Sequence, residues 1–143
     1  MAKALTDQER DVFLQEARYG ILTHLRKDGS PVAVPVWFEW DGSTARMFTS
    51  GLSPKVKRLD NEPRACLLVI NAVDEPEAWV ALDGEAQIHR DGDEAFALAE
   101  RMAPRYWDLS DEGRQHTLQL WRKAAAVLCV IELKPKAVRT YKD

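Results

Sequence analysis

The stretch DGSPVAVPVWFEWDGSTARMFTSGLSPKVKRLDNEPR, residues 28–64, decides the reading of this chain. It predicts strand, tight turn, strand, polar loop and then a short basic helix. In residues 31–40, Val32, Val34, Val36, Phe38 and Trp40 fall on one face, and Ala33, Pro35, Trp37 and Glu39 on the other. Asp28-Gly29 and Asp41-Gly42 bracket this strand as turns, because glycine takes the positive φ that a tight connection needs. Residues 44–50 form the next strand. Pro35 has no N–H for a sheet ladder, so its strand is expected at an edge or a bulge. A bulge leaves neighbouring backbone N–H groups free to meet a ligand.

Residues 53–61, SPKVKRLDN, read as a helix with Ser53 at the N-cap and Pro54 in the first helical position. Val56 and Leu59 should face the core. Lys55 and Arg58 share a second face, with Lys57 at its margin. The corner from Thr49 to Lys55 is the best candidate for binding a phosphate. A helix start presents unpaired N–H groups and a favourable dipole, Thr49 and Ser50 add hydroxyls, and Lys55 adds charge. Lys57, Arg58 and Arg64 extend the basic surface. A capped surface helix with solvated lysines is the plain structural alternative.

Outward from this core, residues 6–18 predict a helix with a Thr6–Glu9 capping box, serving as a lid or end-cap. Residues 19–26 form a first strand, and with the two that follow it give an antiparallel meander. Residues 63–72 are nearly continuously apolar and are expected to be buried on both sides. Residues 74–77, DEPE, read as a solvated acidic loop. Residues 78–90 predict a long strand bent or bulged at Gly84. Helices follow at 93–106, ended or kinked by Pro104, and at 111–123. AAAVLCVIELK is a strand, and AVRTY after Pro135 a last short one. The whole predicts one α+β domain over residues 1–143, six or seven antiparallel strands built into a barrel with three or four flanking helices.

Composition narrows the function. The chain has 143 residues, 45% of them apolar, and a net charge of −3, which argues against a dedicated nucleic-acid binder. No apolar run approaches the ~20 residues of a membrane span. The start, MAKALTDQER, has no signal-peptide core, so a cytoplasmic protein is expected. Cys66 and Cys129 each sit in an apolar run and read as reduced core cysteines; with no Cys/His cluster at ligand spacing, no metal is expected. His24, His89 and His116 are scattered and read as structural or exposed. No side chain stands out as a general acid or base.

The pattern G-I-L-T-x-x-x-x-D-G-x-P (20–31), P-V-W-F (35–38), T-x-x-x-S-x-K-x-x-x-L-x-x-x-P-R (49–64) and D-G-E-A (83–86) resembles the pyridoxamine 5′-phosphate oxidase-like superfamily of split-barrel flavin- and deazaflavin-binding proteins. The resemblance implies a homodimer with two cofactor sites at its interface. It implies a phosphate against Thr49, Ser50 and Lys55, and a ring along Val34, Pro35, Val36 and Trp37. Lys55, Lys57, Arg58 and Arg64 would suit the longer anionic tail of F420. Trp79 and the 105–107 region are the candidates contributed by the partner. Departures also count. The chain is short, its C-terminus KPKAVRTYKD lacks the oxidase's Arg/His substrate segment, and no arginine opens the second strand. Vitamin B6 chemistry is therefore not expected. An oxidoreductase using FMN or coenzyme F420 on a small conjugated substrate is expected; a non-catalytic flavin or haem carrier is the alternative.

Overall fold

The computed structural model describes residues 3–143. Local signals account for its first helix, α1 (Asp7–Gln15). Thr6 and Glu9 close the capping box in both directions, and Phe13 and Leu14 are buried. Seven strands follow: β1 (Gly20–Leu25), β2 (Pro31–Val36), β3 (Glu39–Trp40), β4 (Ala45–Ser50), β5 (Arg64–Ile70), β6 (Ala78–His89) and β7 (Leu128–Lys142). The other helices are α2 (Pro54–Asn61), α3 (Gly92–Tyr106) and α4 (Glu112–Lys123), with a 3-10 turn at Ala125–Val127. No described helix is long and apolar enough to cross a membrane.

The strands form one antiparallel sheet in the order β2-β1-β5-β6-β7-β4-β3. β2 and β3 stand at opposite ends of that order, yet only Trp37 and Phe38 separate them in sequence. The sheet must curl until its ends meet, which makes it a split barrel. This corrects the expected meander: residues 31–40 form two strands, with β2 on β1 and β3 on β4. The alternation nevertheless survives the break, because Val36, Phe38 and Trp40 are all buried. Pro35 lies in a strand at the end of the sheet, where a missing N–H leaves no partner unsatisfied.

Further differences have physical causes. β7 is a single strand running through Pro135, because Pro135 pairs with Gly84 where the β6–β7 register shifts. The bulge absorbs the missing donor, and a Cβ on Gly84 would stand 2.9 Å from the Lys134 carbonyl oxygen. Residues 125–127, expected as strand, form the 3-10 turn instead. Pro104 does not end α3, which continues to Tyr106; both Pro104 and Glu100, whose carbonyl it cannot pair, are exposed to water. β5 is not buried on both sides. Leu67 and Val69 face the barrel core, while Cys66 and Leu68 are half-buried and Ile70 is 50% exposed.

Two apolar clusters hold the fold. One fills the barrel around Leu22, Phe38, Met47, Leu67 and Ile131, and Val56 and Leu59 of α2 plug into it. The other joins α3 to β4 and β7 through Leu98, Met102 and Val130, with Trp37, Phe48, Tyr106 and Trp121 packed against it.

Candidate functional site

β4 ends at Ser50, and the chain turns into α2 through Gly51, Leu52 and Ser53. The Gly51 N–H donates to the Val127 carbonyl at 2.7 Å, tying the turn to the 3-10 segment. The Ser50 hydroxyl accepts from the Leu52 N–H at 3.2 Å. Ser53 has the extended backbone of an N-cap but makes no side-chain cap, and its buried hydroxyl meets no partner. No acid sits in the first turn of α2, while Lys55 and Lys57 do. Cations beside a positive helix end are unfavourable by themselves, and an anion would reverse that sign.

The charge pattern sharpens this. Among the described residues, Lys55, Lys57 and Arg58 pair with no carboxylate. Arg10, Arg18, Arg46, Arg64, Arg90, Arg101 and Arg139 all do, while Arg26, Lys27, Arg105, Arg114, Arg122, Lys123 and Lys134 also have none. Lys57 and Arg58 line an open pocket of about 260 Å³ together with Lys27 and Asn61. Lys55 is half-buried, and loss of water holds its ammonium pKa below the ordinary lysine value. Arg58 Nη1 lies 3.4 Å from Nε2 of His24, which is 1% exposed. Arg64, expected to extend the basic surface, is instead held by Glu62.

The other residues singled out by sequence divide between places. Thr49 and Ser50 are adjacent on β4 and so project to opposite faces, Thr49 with buried Met47 and Ser50 with Phe48. Val36 is buried and Val34 packs on the barrel core, so β2 can meet a ligand through its backbone or through its exposed face of Pro31, Ala33 and Pro35. As the last strand in the sheet order, β2 keeps one hydrogen-bonding edge open. Trp37 is packed within an aromatic cluster. Its ring stacks on Tyr106 and meets Phe48, Trp107 and Trp121 edge-on. The 105–107 region makes contacts within its own chain. Arg105 donates to the Gln15 and Glu16 carbonyls at 2.9 and 3.0 Å, and Trp107 packs beneath Arg114.

Trp79 lies near the start of β6, whereas α2 docks beyond its other end through the Arg90–Asp60 ion pair. Roughly 30 Å of strand separates the two at ~3.3 Å per residue. Trp79 stacks on Tyr141, with centroids 6.1 Å apart, and lines an apolar groove with Thr23, Cys66, Leu68, Ile70 and Ala81. That groove holds about 340 Å³ and meets a second of about 330 Å³ at Thr23 and Cys66. Arg139 at the rim grips both oxygens of Asp83, at 2.6 and 3.0 Å. Cys66 is thus a groove residue and not a core one, and burial beside Asp83 pushes its thiol up to about 11. His24, Lys27 and Asn61 were not legible as site residues. They come from a strand, a hairpin turn and a helix end, and only the sheet topology brings them together.

The curled seven-stranded antiparallel sheet with helices at its split is the split β-barrel of the FMN- and F420-binding superfamily to which the pyridoxamine 5′-phosphate oxidase family belongs. The sequence profile of the pyridoxamine 5′-phosphate oxidase family matches residues 6–142, and the chain belongs to that family. The F420H(2)-dependent biliverdin reductase of Mycobacterium tuberculosis is 38% identical over 96 residues, 66% of this chain and 67% of that protein. Two solved structures share the fold. An F420 reductase has a TM-score of 0.74 at 24% identity, with 90% of this chain and 94% of that one covered. An FAD-binding protein from Mesorhizobium loti has a TM-score of 0.70 at 18% identity, with 100% and 99% covered. The superfamily comprises flavin- and F420-binding oxidoreductases and cofactor carriers.

Proposed function

We propose that this chain is an oxidoreductase that binds F420 or FMN at the β4–α2 corner and passes a hydride between that cofactor and a small conjugated substrate. The observation that carries the reading is an uncapped helix start with no acid in its first turn, where Lys55 is half-buried and Lys57 and Arg58 line one pocket with Lys27. Unpaired cations repel one another, and a bound polyanion would stabilise them at once. F420 is the first cofactor to test, because its charged tail suits a three-cation surface and a 38% identical relative is named for F420H(2). FMN is the second.

Once bound, the flavin or deazaflavin supplies the redox chemistry, and the protein supplies place and field. Lys55 would hold the phosphate with Thr49 or Ser50, and Lys57 and Arg58 the outer anionic groups. The open backbone edge at Val34, Pro35 and Val36 would hydrogen-bond the ring. Trp37 would act indirectly, by fixing the crossover from β2 to β3. A second copy of the chain would cover the Ile70–Trp79 groove and bring its own Trp79 to the site. That arrangement accounts for an apolar sheet face left open in a single chain.

The test is a titration of the purified protein with F420 and with FMN, followed by absorbance and fluorescence, and then turnover with biliverdin as the first conjugated acceptor. Binding in the micromolar range with acceptor turnover supports the proposal. Binding without turnover of any acceptor would make the chain a carrier, and failure to bind either cofactor would remove the reading.

A further inference from the structure

We infer that His24 is a positioning residue for the anion site: its neutral ring takes a hydrogen from Arg58 through the Nε2 lone pair and so aims the remaining N–H groups of that guanidinium at the Lys27–Lys57–Asn61 pocket. The inference rests on the reading of this corner as the cofactor's anion site.

The chemistry of the contact allows one assignment. A guanidinium has five N–H donors and no acceptor. The 3.4 Å approach of Arg58 Nη1 to His24 Nε2 therefore needs a lone pair on Nε2, with the ring proton on Nδ1. A doubly protonated ring would set cation against cation. The surroundings favour the neutral ring. It is 1% exposed, and Arg58, Lys55 and Arg26 all bring positive charge toward it. The Leu22 carbonyl acts on the ring, but Nδ1 forms no aligned hydrogen bond. A buried histidine with an orphaned nitrogen is a poor purely structural choice, since an apolar side chain of the same volume would avoid that cost.

What histidine adds is an acceptor without a charge. Arg18, Arg46 and Arg139 are held by carboxylates, which orient them and also cancel their field. Arg58 is oriented by an uncharged group, so its full positive charge faces the pocket. An aspartate or glutamate at position 24 would hold it as well but would repel the ligand. A leucine would leave a long side chain to be ordered at the moment of binding.

The experiment measures F420 affinity by fluorescence titration for the wild type, His24→Leu, His24→Gln, Arg58→Ala, Lys55→Ala and the His24→Leu/Arg58→Ala pair. Thermal midpoints check that each variant is folded. His24→Leu should weaken F420 binding roughly three- to tenfold. His24→Gln, which returns an uncharged acceptor, should recover most of that loss. In the Arg58→Ala background His24→Leu should cost nothing further, because the residue it positions is gone. Additive losses in the pair, or wild-type affinity in His24→Leu, would overturn the inference while leaving the anion site intact. Unchanged affinity in both Arg58→Ala and Lys55→Ala would instead overturn the site itself. Should His24→Leu fail to fold, His24→Met replaces it in the same cycle.

Discussion

The indole of Trp37 lies 5° from parallel to the phenol of Tyr106, with ring centroids 4.7 Å apart. The Tyr106 hydroxyl also donates to the Arg18 carbonyl at 2.8 Å and accepts from the Phe38 N–H at 3.2 Å. Trp37 and Phe38 are the two residues that carry the chain from one end of the sheet order to the other. The end of α3 thereby clamps the crossover on which the proposed ring-binding edge depends.

Tyr106→Phe keeps the stack and removes both hydrogen bonds. The Phe38 N–H and Arg18 carbonyl lose a partner in a half-buried setting, so stability should fall by about 1–3 kcal/mol. Urea denaturation measures it. An unchanged midpoint would show that water replaces the hydroxyl without loss.

Lys55→Ala should weaken F420 or FMN binding by roughly tenfold, about 1.4 kcal/mol, while leaving the fold intact. Lys55 is half-buried, has no carboxylate partner and has a lowered pKa, so the charged form is already disfavoured in the folded chain. The cost of that buried charge is present below the folded pKa and is relieved as pH rises through it. Near neutral pH, therefore, the variant's thermal midpoint should equal or exceed that of the wild type. Cofactor affinity is read by fluorescence quenching. A lower midpoint together with wild-type affinity would place the phosphate elsewhere.

Glu75 was expected to be solvated in an acidic loop, but it grips Arg18 at 2.6 and 2.7 Å and accepts from the Ala72 N–H at 2.8 Å. The Arg18 hydrogen bonds, then the Ala72 N–H, lower its pKa from 4.5 to about 2. The folded value lies below the unfolded one, so this contribution is complete above about pH 5 and is lost as pH falls toward the folded value. Glu75→Gln should be less stable than the wild type at neutral pH, and the difference should shrink between about pH 5 and about pH 2. Urea midpoints across that range check it. A constant difference would assign the effect to shape rather than charge.

Ile70 is 50% exposed and lines the apolar groove with Trp79. In a single chain, Ile70→Asp should therefore cost about 1 kcal/mol, from lost half-burial and aspartate's poor strand propensity, and leave the fold intact. In the proposed dimer it would bury a carboxylate, so sedimentation should show monomers, and F420 affinity should fall with them. A dimeric Ile70→Asp variant would move the interface away from this groove.

Local chemistry is legible in the chain by itself. The Thr6–Glu9 capping box, the Asp-Gly turns, the Ser53-Pro54 helix start and the Gly84 bulge all act over a few residues of backbone, and all appear where the sequence puts them. That Lys55 and Arg58 share a helix face, with Lys57 at its margin, is legible for the same reason, since helical spacing sets it. The tertiary structure decides what joins distant residues. It sets β2 and β3 at opposite ends of the sheet and carries β7 through Pro135 opposite Gly84. It also stacks Trp37 on Tyr106 and brings His24 behind Arg58. Those outcomes depend on which strands pair across dozens of residues, and the energy that selects the pairing is distributed over the whole curled sheet rather than written in any one segment.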